Sequence, residues 1–546
     1  MMRYMAAGDD LLTLQDVLTH GAACYGGHPA VGMAGGPALS YAALCVHAQR
    51  VFARLSDLGV GTGDRVALLA ENGPWWGVAY FAITTGGAVA VPLMTEFSRS
   101  QVSNLIEHAD CRAIIVSRKL REKTRGVEAD RAVLVIEELA EWCLAQEAAG
   151  GVEKAVPMLP PVRPEDLAAI IYTSGTTGVS KGVMLTHHAI VFDAGAALAI
   201  VHVDSTDRLL SVLPLAHAYE CTLGLIAPLM KGASISYLDR LPSATTLLPA
   251  FQAVRPTIML SVPLIIEKLY RNKVEPELVR RRLYARPLFR RIFNRLAGRK
   301  LKEVFGGHLA VFAVGGSALA PDVEKFLAEA GFPYAIGYGL TETAPVVAGA
   351  APGKTRLRMI GPAVPGVEIR VTDVGAADGV GEIQVRGPNL MKGYYRDPER
   401  TREVFTEDGW FRTGDLGALD RSGRLSIRGR SKTMILGASG ENIYPEEIEA
   451  VLNKSRQVDE SVVFHDGTGL SALVRLKDEV LHASGVTLPD GIAGAERAIG
   501  ALLEQIRDQV NEQLASFSRL RKLELQPVPF EKTPSQKIKR FLYPGR

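Results

Sequence analysis

The chain has 546 residues, which is too long for a single hydrophobic core and predicts roughly three or four structural units. Apolar residues make up 47% of the chain and charged residues 22%, a balance typical of a globular protein and contrary to a mainly disordered one. The formal net charge of +3 is too small to indicate a nucleic acid or another polyanion as a partner.

The N-terminal region reaches Asp9 and Asp10 before a long apolar run can form, which argues against a cleavable signal peptide. The longest apolar stretch, residues 78–93, is interrupted at residues 84–87 and predicts a buried helix, a glycine turn and a short strand, not a membrane span. The five cysteines are scattered without a C-x-x-C spacing, which argues against disulfides and a zinc site. We therefore expect a cytoplasmic protein, and the mean hydropathy of +0.10 leaves peripheral membrane contact open.

Residues 38–350 alternate helical patterns with strand-like runs, a rhythm typical of mostly parallel sheets covered by helices. The predicted strands and helices of this part include residues 41–58 (helix), 66–69, 101–108 (helix), 113–116, 168–172 and 309–314. From residue 360 to 428 the pattern changes to short alternating strands with glycine turns, which predicts a small all-β unit such as a distorted barrel. Its predicted strands are residues 367–371, 381–386 and 424–427.

Beyond Arg430 the pattern predicts an α+β unit, with helices at residues 445–452 and 496–514 and strands at residues 458–464 and 472–476. We place the predicted domain boundary near residues 429–432. The fold class is therefore α/β, with two predicted domains. The N-terminal domain, residues 1–429, combines two mixed or parallel helix-covered sheets with the small barrel, and the smaller C-terminal domain is residues 430–546.

A loop rich in glycine and hydroxyl groups, YTSGTTGVSKG at residues 172–182, follows a buried strand. Glycines let successive backbone N–H groups converge on an anion, hydroxyls add donors, and Lys181 supplies a mobile charge for phosphate oxygens. Lys181 is followed by Gly182 and a further strand, so the segment is not a common P-loop. Phosphate binding is favoured over a flexible polar loop because Lys181 and the two strands accompany the glycines.

This loop resembles the signature loop of the adenylate-forming superfamily, which includes acyl-CoA synthetases, adenylation domains of peptide synthetases and luciferases. The family pattern Y-T-S-G-T-T-G-x-P-K-G is matched except at Ser180, which stands where proline is usual. The resemblance extends over nearly the whole chain, through further motifs in the expected order, and implies ATP as a substrate. It assigns these residues to the nucleotide loop: Thr173, Ser174, Gly175, Thr176, Thr177, Gly178 and Lys181.

The second motif is GYGLTET, which begins at Gly337. Gly337 and Gly339 allow close backbone approach to a flat ring on which Tyr338 can stack, while Thr341 offers a hydroxyl and Glu342 a hard oxygen ligand suited to Mg²⁺. On its own, the pattern is equally compatible with a capped strand–turn–helix junction. The resemblance makes Thr341 a contact of the α-phosphate and Glu342 the magnesium ligand. It also assigns an adenine-facing turn: Gly315, Gly316 and Ser317.

The third motif, GWFRTGDLG at residues 409–417, carries Asp415 among glycines. A carboxylate can accept the protons of both ribose hydroxyls, although an isolated T-G-D is more often a turn. By resemblance, Asp415 binds the ribose, Arg430 is its second contact, and Lys432 occupies the hinge between two domains. A charged, solvent-facing side chain suits a hinge, because the backbone there must tolerate a change of φ and ψ.

The fourth motif, residues 532–540, is similar to the family form K-T-x-S-G-K-I, in which Lys537 aligns with the catalytic lysine of adenylation. A desolvated ammonium would stabilise the charge that accumulates as a carboxylate approaches an anionic α-phosphate. Gln536 replaces the usual glycine. Without the resemblance, the lysines and Arg540 of this segment would be interpreted as a basic tail.

The acceptor implied by the resemblance is coenzyme A. After rotation about Lys432, the segment GASGEN at residues 437–442 would face the pantetheine tunnel, and its Ser439 and Gly440 are assigned to this co-substrate. Glycines there let a narrow chain pass close to the backbone. A similar loop exists in relatives that do not use coenzyme A, so this assignment is less specific than the nucleotide site.

The acid implied by the resemblance is a fatty acid, because residues 213–220 and 261–270 look closest to the long-chain branch. His217 is a candidate gate at the acyl carboxylate, and a satisfied buried histidine is an equal alternative. Residues 271–302 are unusually basic and amphipathic. Contact with an anionic membrane surface is one interpretation of this segment, and a solvated arginine face is the more common one.

The sequence therefore predicts a ligase that activates a long- or medium-chain fatty acid through acyl-AMP, with release of pyrophosphate, and then transfers it to coenzyme A with release of AMP. The implied small molecules are ATP, Mg²⁺, the acid and coenzyme A. Two alternatives stay open: an acyl-AMP ligase that delivers to a carrier protein, and a catalytically silent nucleotide-binding regulator. The joint presence of these five polar residues argues against the silent regulator: Lys181, Glu342, Asp415, Arg430 and Lys537.

Overall fold

The computed structural model describes most of the chain. The described residues are 11–148, 158–174, 180–240, 242–374, 379–436, 442–483, 492–533 and 538–543. Several residues named in the sequence analysis lie outside these ranges, and of Ser174 only the backbone is described. The residues outside are Asp9, Asp10, Gly175, Thr176, Thr177, Gly178, Ser439, Gly440, Gln536 and Lys537.

Several helices begin at a residue whose side chain accepts a bond from a free backbone N–H of the first turn. Ser98 accepts a bond from the Gln101 N–H, and the Gln101 side chain accepts one from the Ser98 N–H, so a capping box starts α4 (Arg99–His108). The other helices are α1 Leu14–Tyr25, α2 Tyr41–Asp57, α3 Pro74–Thr85, α5 Ile136–Ala148, α6 His187–Leu198, α7 Ala218–Glu220, α8 Ala227–Leu229, α9 Ala244–Val254, α10 Pro263–Leu269, α11 Glu275–Val279, α12 Pro287–Val304, α13 Pro321–Ala330, α14 Pro398–Val404, α15 Pro445–Leu452, α16 Asp478–Ala483 and α17 Ile492–Asn511.

The strands are mostly short, and those at the centre of the large sheets are buried. They are β1 Pro29–Met33, β2 Ala38–Ser40, β3 Arg65–Leu69, β4 Val89–Pro92, β5 Cys111–Val116, β6 Ala132–Val135, β7 Leu167–Ser174, β8 Ser180–Thr186, β9 Arg208–Ser211, β10 Ser234–Tyr237, β11 Ile258–Ser261, β12 Val311–Val314, β13 Tyr334–Tyr338, β14 Ala348–Ala350, β15 Glu368–Thr372, β16 Gly381–Arg386, β17 Gly393–Tyr394, β18 Phe411–Leu419, β19 Leu425–Arg430, β20 Ile435–Leu436, β21 Asn442–Ile443, β22 Val458–His465, β23 Leu470–Leu476 and β24 Leu520–Leu525.

One large sheet has seven strands in the order β17-β8-β7-β4-β3-β5-β6. Its centre, β7-β4-β3-β5-β6, is parallel, and β8 and β17 add two antiparallel strands at one edge. The predicted helix, glycine turn and strand of residues 78–93 are confirmed by α3 and β4, which lie in the core of this part. Among the described residues, no helix combines the length and apolar character needed to cross a bilayer.

The other large sheet has eight strands in the order β14-β13-β12-β11-β9-β10-β1-β2, and only its outermost pairs are antiparallel. The strands β9, β11, β12 and β13 run parallel. The loops that follow them therefore meet at one edge, the place where open α/β sheets bind ligands. This edge receives four segments named in the sequence analysis, which begin at residues 213, 261, 315 and 337.

The predicted small all-β unit is a four-stranded antiparallel sheet, β15-β16-β18-β19, which shares a buried cluster with α6 and β14. After it come the β20–β21 pair and a three-stranded sheet, β22-β23-β24, which packs with α15 and α17 around a separate apolar cluster. The predicted α/β fold class is confirmed. The basic segment 271–302 is not one helix: α11 ends at Val279 and α12 begins at Pro287, because a proline disfavours helical geometry at the residue before it.

Candidate active site

The turn after β12 and the loop after β9 are in direct contact. The Tyr219 hydroxyl donates to the Ala313 carbonyl at 3.1 Å, and a Cβ on Gly315 would lie 3.1 Å from the Tyr219 ring. Gly316 has a φ of 88°, which favours glycine. His217 caps the short helix α7, and its Nδ1 accepts a bond from the Tyr219 N–H at 3.3 Å. The candidate acyl gate therefore adjoins the predicted adenine-facing turn.

The turn after β13 carries two of the predicted catalytic residues. A Cβ on Gly339 would lie 1.6 Å from the Pro345 carbonyl oxygen, so only glycine fits this close crossing of the chain. Thr341 and Glu342 follow in a short 3₁₀ turn, Thr341–Thr343, and both are half-buried. The Leu340 N–H donates to the Thr343 hydroxyl at 3.0 Å, which fixes the start of this turn.

Lys181 and Glu342 are brought together through Tyr394. The Tyr394 hydroxyl donates to Glu342 Oε1 at 2.9 Å, and Lys181 Nζ lies 4.8 Å from the centre of the Tyr394 ring, a cation–π contact. Strand β17 pairs Tyr394 with Val183 of β8, so the pairing of two strands aligns the phenol with Lys181. Partial burial lowers the pKa of Lys181, the Glu342 carboxylate opposes that effect, and nearby cations, Lys432 among them, add to it.

Asp415 lies beside Tyr338. Tyr338 precedes Glu342 by four residues in the chain. The Tyr338 hydroxyl donates to Asp415 Oδ2 at 2.7 Å, and Arg430 Nε lies 2.9 Å from Asp415 Oδ1. Asp415 and Arg430 are direct partners in the pairing of β18 with β19. Burial, together with the adjacent Asp415 carboxylate, raises the pKa of Tyr338 well above its usual value, so this phenol stays a donor. A carboxylate keeps acceptor capacity for ribose hydroxyls beside these two partners.

Lys432 is exposed in the turn that leaves β19, where the Met434 N–H donates to the Arg430 carbonyl at 3.0 Å. The segment predicted to serve coenzyme A follows it, and residues 437–441 of that segment lie outside the described residues. Its two flanks are described: Leu436 of β20 pairs with Asn442 of β21. The hinge role of Lys432 and the role of Ser439 and Gly440 stay predictions.

The segment that carries Lys537 is fixed at both of its described ends. Lys532 and Ile538 form an antiparallel bridge, and Lys532 Nζ lies 2.5 Å from Glu460 Oε1 on β22. Arg540 pairs with the buried Glu449 of α15, whose other oxygen accepts the Val463 N–H at 2.7 Å. Lys537 itself lies outside the described residues, so its catalytic role also stays a prediction.

The site offers few carboxylates for a metal ion. Across the described part of the chain, His, Cys, Asp and Glu do not form a group of three or more that could hold one. Mg²⁺ is usually bound by one or two carboxylates together with phosphates, and a single half-buried glutamate linked through Tyr394 to Lys181 suits that mode. Glu342 therefore fits the magnesium prediction.

Two residues at this edge were not found by sequence reasoning. Tyr394 links Lys181 to Glu342. Asn72 holds the loop after β9, because its Nδ2 donates to the Leu213 carbonyl at 2.6 Å and its Oδ1 accepts the Leu215 N–H at 2.9 Å. Asn72 follows the buried strand β3, and a search for polar residues after buried strands would have found it. No periodicity marks Tyr394.

Comparison with known proteins gives a consistent result. The AMP-binding enzyme family model matches residues 18–395. Long-chain-fatty-acid–CoA ligase FadD15 of Mycobacterium bovis is 30% identical, over 89% of this chain and 87% of its own length. Peroxisomal long chain acyl-CoA synthetase 7 of Arabidopsis thaliana is 30% identical, over 92% of this chain and 79% of its own length. The crystal structure of ATP-bound MatB from Rhodopseudomonas palustris superimposes with a TM-score of 0.76 at 26% identity, over 97% of this chain and 98% of that one.

Proposed function

Because the chain belongs to the AMP-binding enzyme family, we propose that it is a fatty acid–CoA ligase that works through an acyl-adenylate. The similarity to long-chain fatty acid ligases over 89% of the chain supports the fatty acid as the substrate class. ATP and coenzyme A are its other substrates. Chain length within the fatty acid class is left to the experiment below.

The observation that carries this proposal is the convergence of remote polar residues. Tyr394 joins Lys181 to Glu342, and Tyr338 joins the same turn to Asp415, although these residues are contributed by separate segments of the chain. A plain structural role does not require this set at the binding edge of a parallel sheet. Binding of a nucleoside triphosphate does require such a set, because the ligand presents phosphates, a bound cation and a ribose diol side by side.

In the adenylation step, a carboxylate oxygen of the acid bonds to the α-phosphorus of ATP, and the bond from that phosphorus to pyrophosphate breaks. Lys181 and the loop at residues 173–178 bind phosphate oxygens, and Thr341 donates to the α-phosphate. Asp415 accepts hydrogen bonds from the ribose hydroxyls, with Arg430 beside it. Glu342 would hold Mg²⁺, which would supply positive charge for the leaving pyrophosphate.

Lys537 is the proposed catalytic lysine of this first step. Its ammonium would bridge the incoming carboxylate and the α-phosphate and stabilise the charge that builds up on their oxygens. The frame at Lys532, Ile538 and Arg540 supports this role, because it anchors the lysine-bearing segment to the body of the C-terminal part.

In the second step the thiol of coenzyme A bonds to the acyl carbon, the bond to AMP breaks, and the thiol proton leaves to solvent. We place the domain boundary at residues 429–430 and the hinge at Lys432, which is exposed and flanked by turns. Rotation there would exchange the Lys537 segment for residues 437–442, with Ser439 and Gly440 beside the pantetheine. His217 and Tyr219 would form the gate at the acyl carboxylate.

An ATP–pyrophosphate exchange assay with a panel of acids of increasing chain length tests the first step, and AMP release with and without coenzyme A tests the second. We expect exchange with fatty acids, loss of exchange in Lys181→Met, and AMP release that depends on coenzyme A. Exchange without release of AMP by coenzyme A would instead favour delivery to a carrier protein. Absence of exchange with every acid would leave only the silent regulator.

We also propose that α12 contacts an anionic membrane surface. Its residues Leu288, Ile292 and Leu296 are spaced by four and exposed by 71%, 47% and 48%, and they form an apolar row on one face. Exposed arginines flank this row on α12: Arg291, Arg295 and Arg299. A basic amphipathic helix of this kind lies in the plane of a membrane interface.

Flotation of the enzyme with liposomes tests the membrane contact. Binding is expected to vesicles of phosphatidylserine and phosphatidylcholine, to be weaker to phosphatidylcholine alone, and to be reduced in Leu288→Ser/Ile292→Ser. Both side chains are exposed, so the double variant is expected to fold. Flotation that does not depend on anionic lipid would remove the proposal.

A further inference from the structure

A buried pair of polar side chains, Asp193 of α6 and Asn389 before β17, lies directly behind the catalytic turn. Both are 0% exposed. Asn389 Nδ2 lies within hydrogen-bonding distance of Asp193 Oδ1 at 3.3 Å, of the Thr343 carbonyl at 3.0 Å and of the Val346 carbonyl at 2.8 Å. Asp193 Oδ2 accepts the Val346 N–H at 2.9 Å. The pair therefore contacts the backbone at the end of the turn and just beyond it.

Residues shortly after Asn389 in the chain also bond directly to the turn that carries Glu342. The Met391 N–H donates to the Glu342 carbonyl at 2.9 Å, and Tyr394 bonds the Glu342 side chain. Glu342 is thus held through its backbone and its carboxylate by residues within five positions of Asn389 along the chain. Displacing Asn389 would disturb both bonds together.

Asp193 connects this arrangement to Lys181. Helix α6 follows β8 without an intervening loop, since Thr186 ends the strand and caps the helix. Asp193 is therefore on the continuous strand–helix segment that begins beside Lys181. Through the pair, the phosphate-binding strand, the Glu342 turn and the Tyr394 strand share one buried junction.

Packing alone does not explain why two polar side chains, Asp193 and Asn389, are fully buried here. A buried carboxylate is costly unless it is hydrogen-bonded, and burial raises the pKa of Asp193 well above its usual value. Asn389 Oδ1 has no hydrogen-bond partner within the described structure, whereas its Nδ2 faces three acceptors. The Asn389 amide is thus oriented with its Nδ2 towards the carbonyl groups at the end of the turn. Apparent violations of packing rules of this kind concentrate at functional sites.

We infer that Asp193 and Asn389 are positioning residues for adenylation, which hold Thr341 and Glu342 at the place where the α-phosphate and its metal ion bind. This inference deepens the proposed function and rests on it. The pair does not touch the substrate; it acts through the turn. Its loss should therefore weaken the binding of ATP with Mg²⁺ more than the binding of ATP alone.

The test variant is Asn389→Ala, with Asn389→Ser as the milder change should the alanine variant not fold. Asn294→Ala is the matched control, because Asn294 is also buried and its Nδ2 donates to a carboxylate, Glu329, between α12 and α13. Calorimetric titration with ATP is run in Mg²⁺ and in EDTA. Thermal stability and the steady-state constants of ATP–pyrophosphate exchange are measured on the same preparations.

We expect Asn389→Ala to weaken ATP binding in Mg²⁺ by about tenfold or more, the effect typical of residues that orient a metal ligand, with little change in EDTA. The kcat of exchange should fall while the KM for the acid stays constant. Asp193→Asn should also weaken ATP binding in Mg²⁺. The new NH₂ group would face either the Val346 N–H or the Asn389 Nδ2, and both of these are donors. Asn294→Ala should lose stability only.

Equal weakening in Mg²⁺ and EDTA, or the same behaviour in Asn389→Ala and Asn294→Ala, would overturn the inference. Glu342→Gln separates this outcome from failure of the proposed function. If Glu342→Gln binds ATP in Mg²⁺ as the unaltered enzyme does, the assignment of Glu342 to magnesium is wrong and the inference falls with it. If Glu342→Gln is impaired and Asn389→Ala is not, only the positioning role is wrong.

Discussion

At the scale of single residues, Tyr394 shows what motif reasoning finds and what it misses. Lys181, Glu342 and Asp415 were predicted because each is part of a pattern whose chemistry is explicit in the sequence. Tyr394 sits in no such pattern, and its importance arises only when β17 pairs with β8 and aligns its hydroxyl with Glu342. Asp193 was missed for the same reason, since one acid in an apolar helix gives no periodic signal.

Tyr394→Phe should lower adenylation by about tenfold, because a hydrogen bond to a charged group contributes about 1.5–3 kcal/mol. The ring beneath Lys181 is kept, so the variant isolates the hydroxyl that orients Glu342. The measurement is kcat/KM for ATP in pyrophosphate exchange. Tyr395→Phe is the control, since the Tyr395 hydroxyl donates to the Ala109 carbonyl at 3.4 Å and not to the site. An equal loss in both variants would contradict this role of Tyr394.

Glu220, buried next to His217, should make stability depend on pH. Burial raises its pKa from 4.5 to about 8, and the nearby Ser211 hydroxyl opposes the shift. The folded state thus favours the protonated acid, and the stabilisation is present below the unfolded pKa and is lost as the pH rises from about 4.5 through about 8. The slope is at most about 1.4 kcal/mol per pH unit.

Urea unfolding of the wild type and of Glu220→Gln between pH 5 and pH 8.5 checks this prediction. The glutamine variant stays neutral, so the wild type should lose stability relative to it as the pH rises. Parallel stability curves would show that Glu220 does not titrate in this range.

At the scale of elements, the sequence predicts where most helices and strands lie and errs mainly at their ends. Helix α15 begins and ends where predicted, because proline starts it, while α4 begins two residues before the predicted residue 101, at Arg99, since Ser98 supplies the cap. The π-helices Cys221–Ile226 and Tyr270–Val274 were not predicted. A π-turn differs from an α-turn by one residue, so short sequence patterns do not separate the two.

Arg540→Ala should impair adenylation and spare thioester formation. The change removes the partner of the buried Glu449 and loosens the described end of the Lys537 segment. Breaking a buried ion pair costs about 3–5 kcal/mol when one charge is left behind, so Arg540→Ala/Glu449→Gln is the matched variant. Pyrophosphate exchange reports the first step, and conversion of synthetic acyl-AMP to the thioester reports the second. Equal loss of both rates would contradict this prediction.

At the scale of the whole molecule, the order of the parts was predictable, and their contacts were not. The switch from α/β to all-β to α+β patterns along the chain predicts the observed sequence of sheets. The ion pairs between remote parts carry no sequence signal, because any exposed charge has many possible partners. Glu447 of α15 is an example: its Oε1 lies 3.0 Å from Arg428 Nη1 and 3.5 Å from Arg358 Nη2.

Glu447→Gln should change the balance of the two half-reactions and leave the fold intact. Arg358 is exposed and the other two side chains are half-buried; pairs of this kind near the surface contribute about 1 kcal/mol or less, equivalent to at most about a fivefold change in a ratio of rates. The ratio of thioester formation to pyrophosphate exchange is the measurement, with Glu368→Gln as the control because Glu368 pairs with Arg386 within one sheet. No difference from that control, at low salt, would contradict the prediction.

The pairing of Ser174 with Ser180 at the ends of β7 and β8 has a consequence for how tightly a phosphate can be bound. The two strands bring the ends of the intervening segment side by side before any ligand arrives. The conformational entropy of closing that loop is therefore lost when the protein folds, not when the nucleotide binds. The entropic cost of closing a loop grows only slowly with the number of residues in the loop. Inserting two glycines between Gly178 and Val179 should accordingly lower nucleotide affinity only modestly.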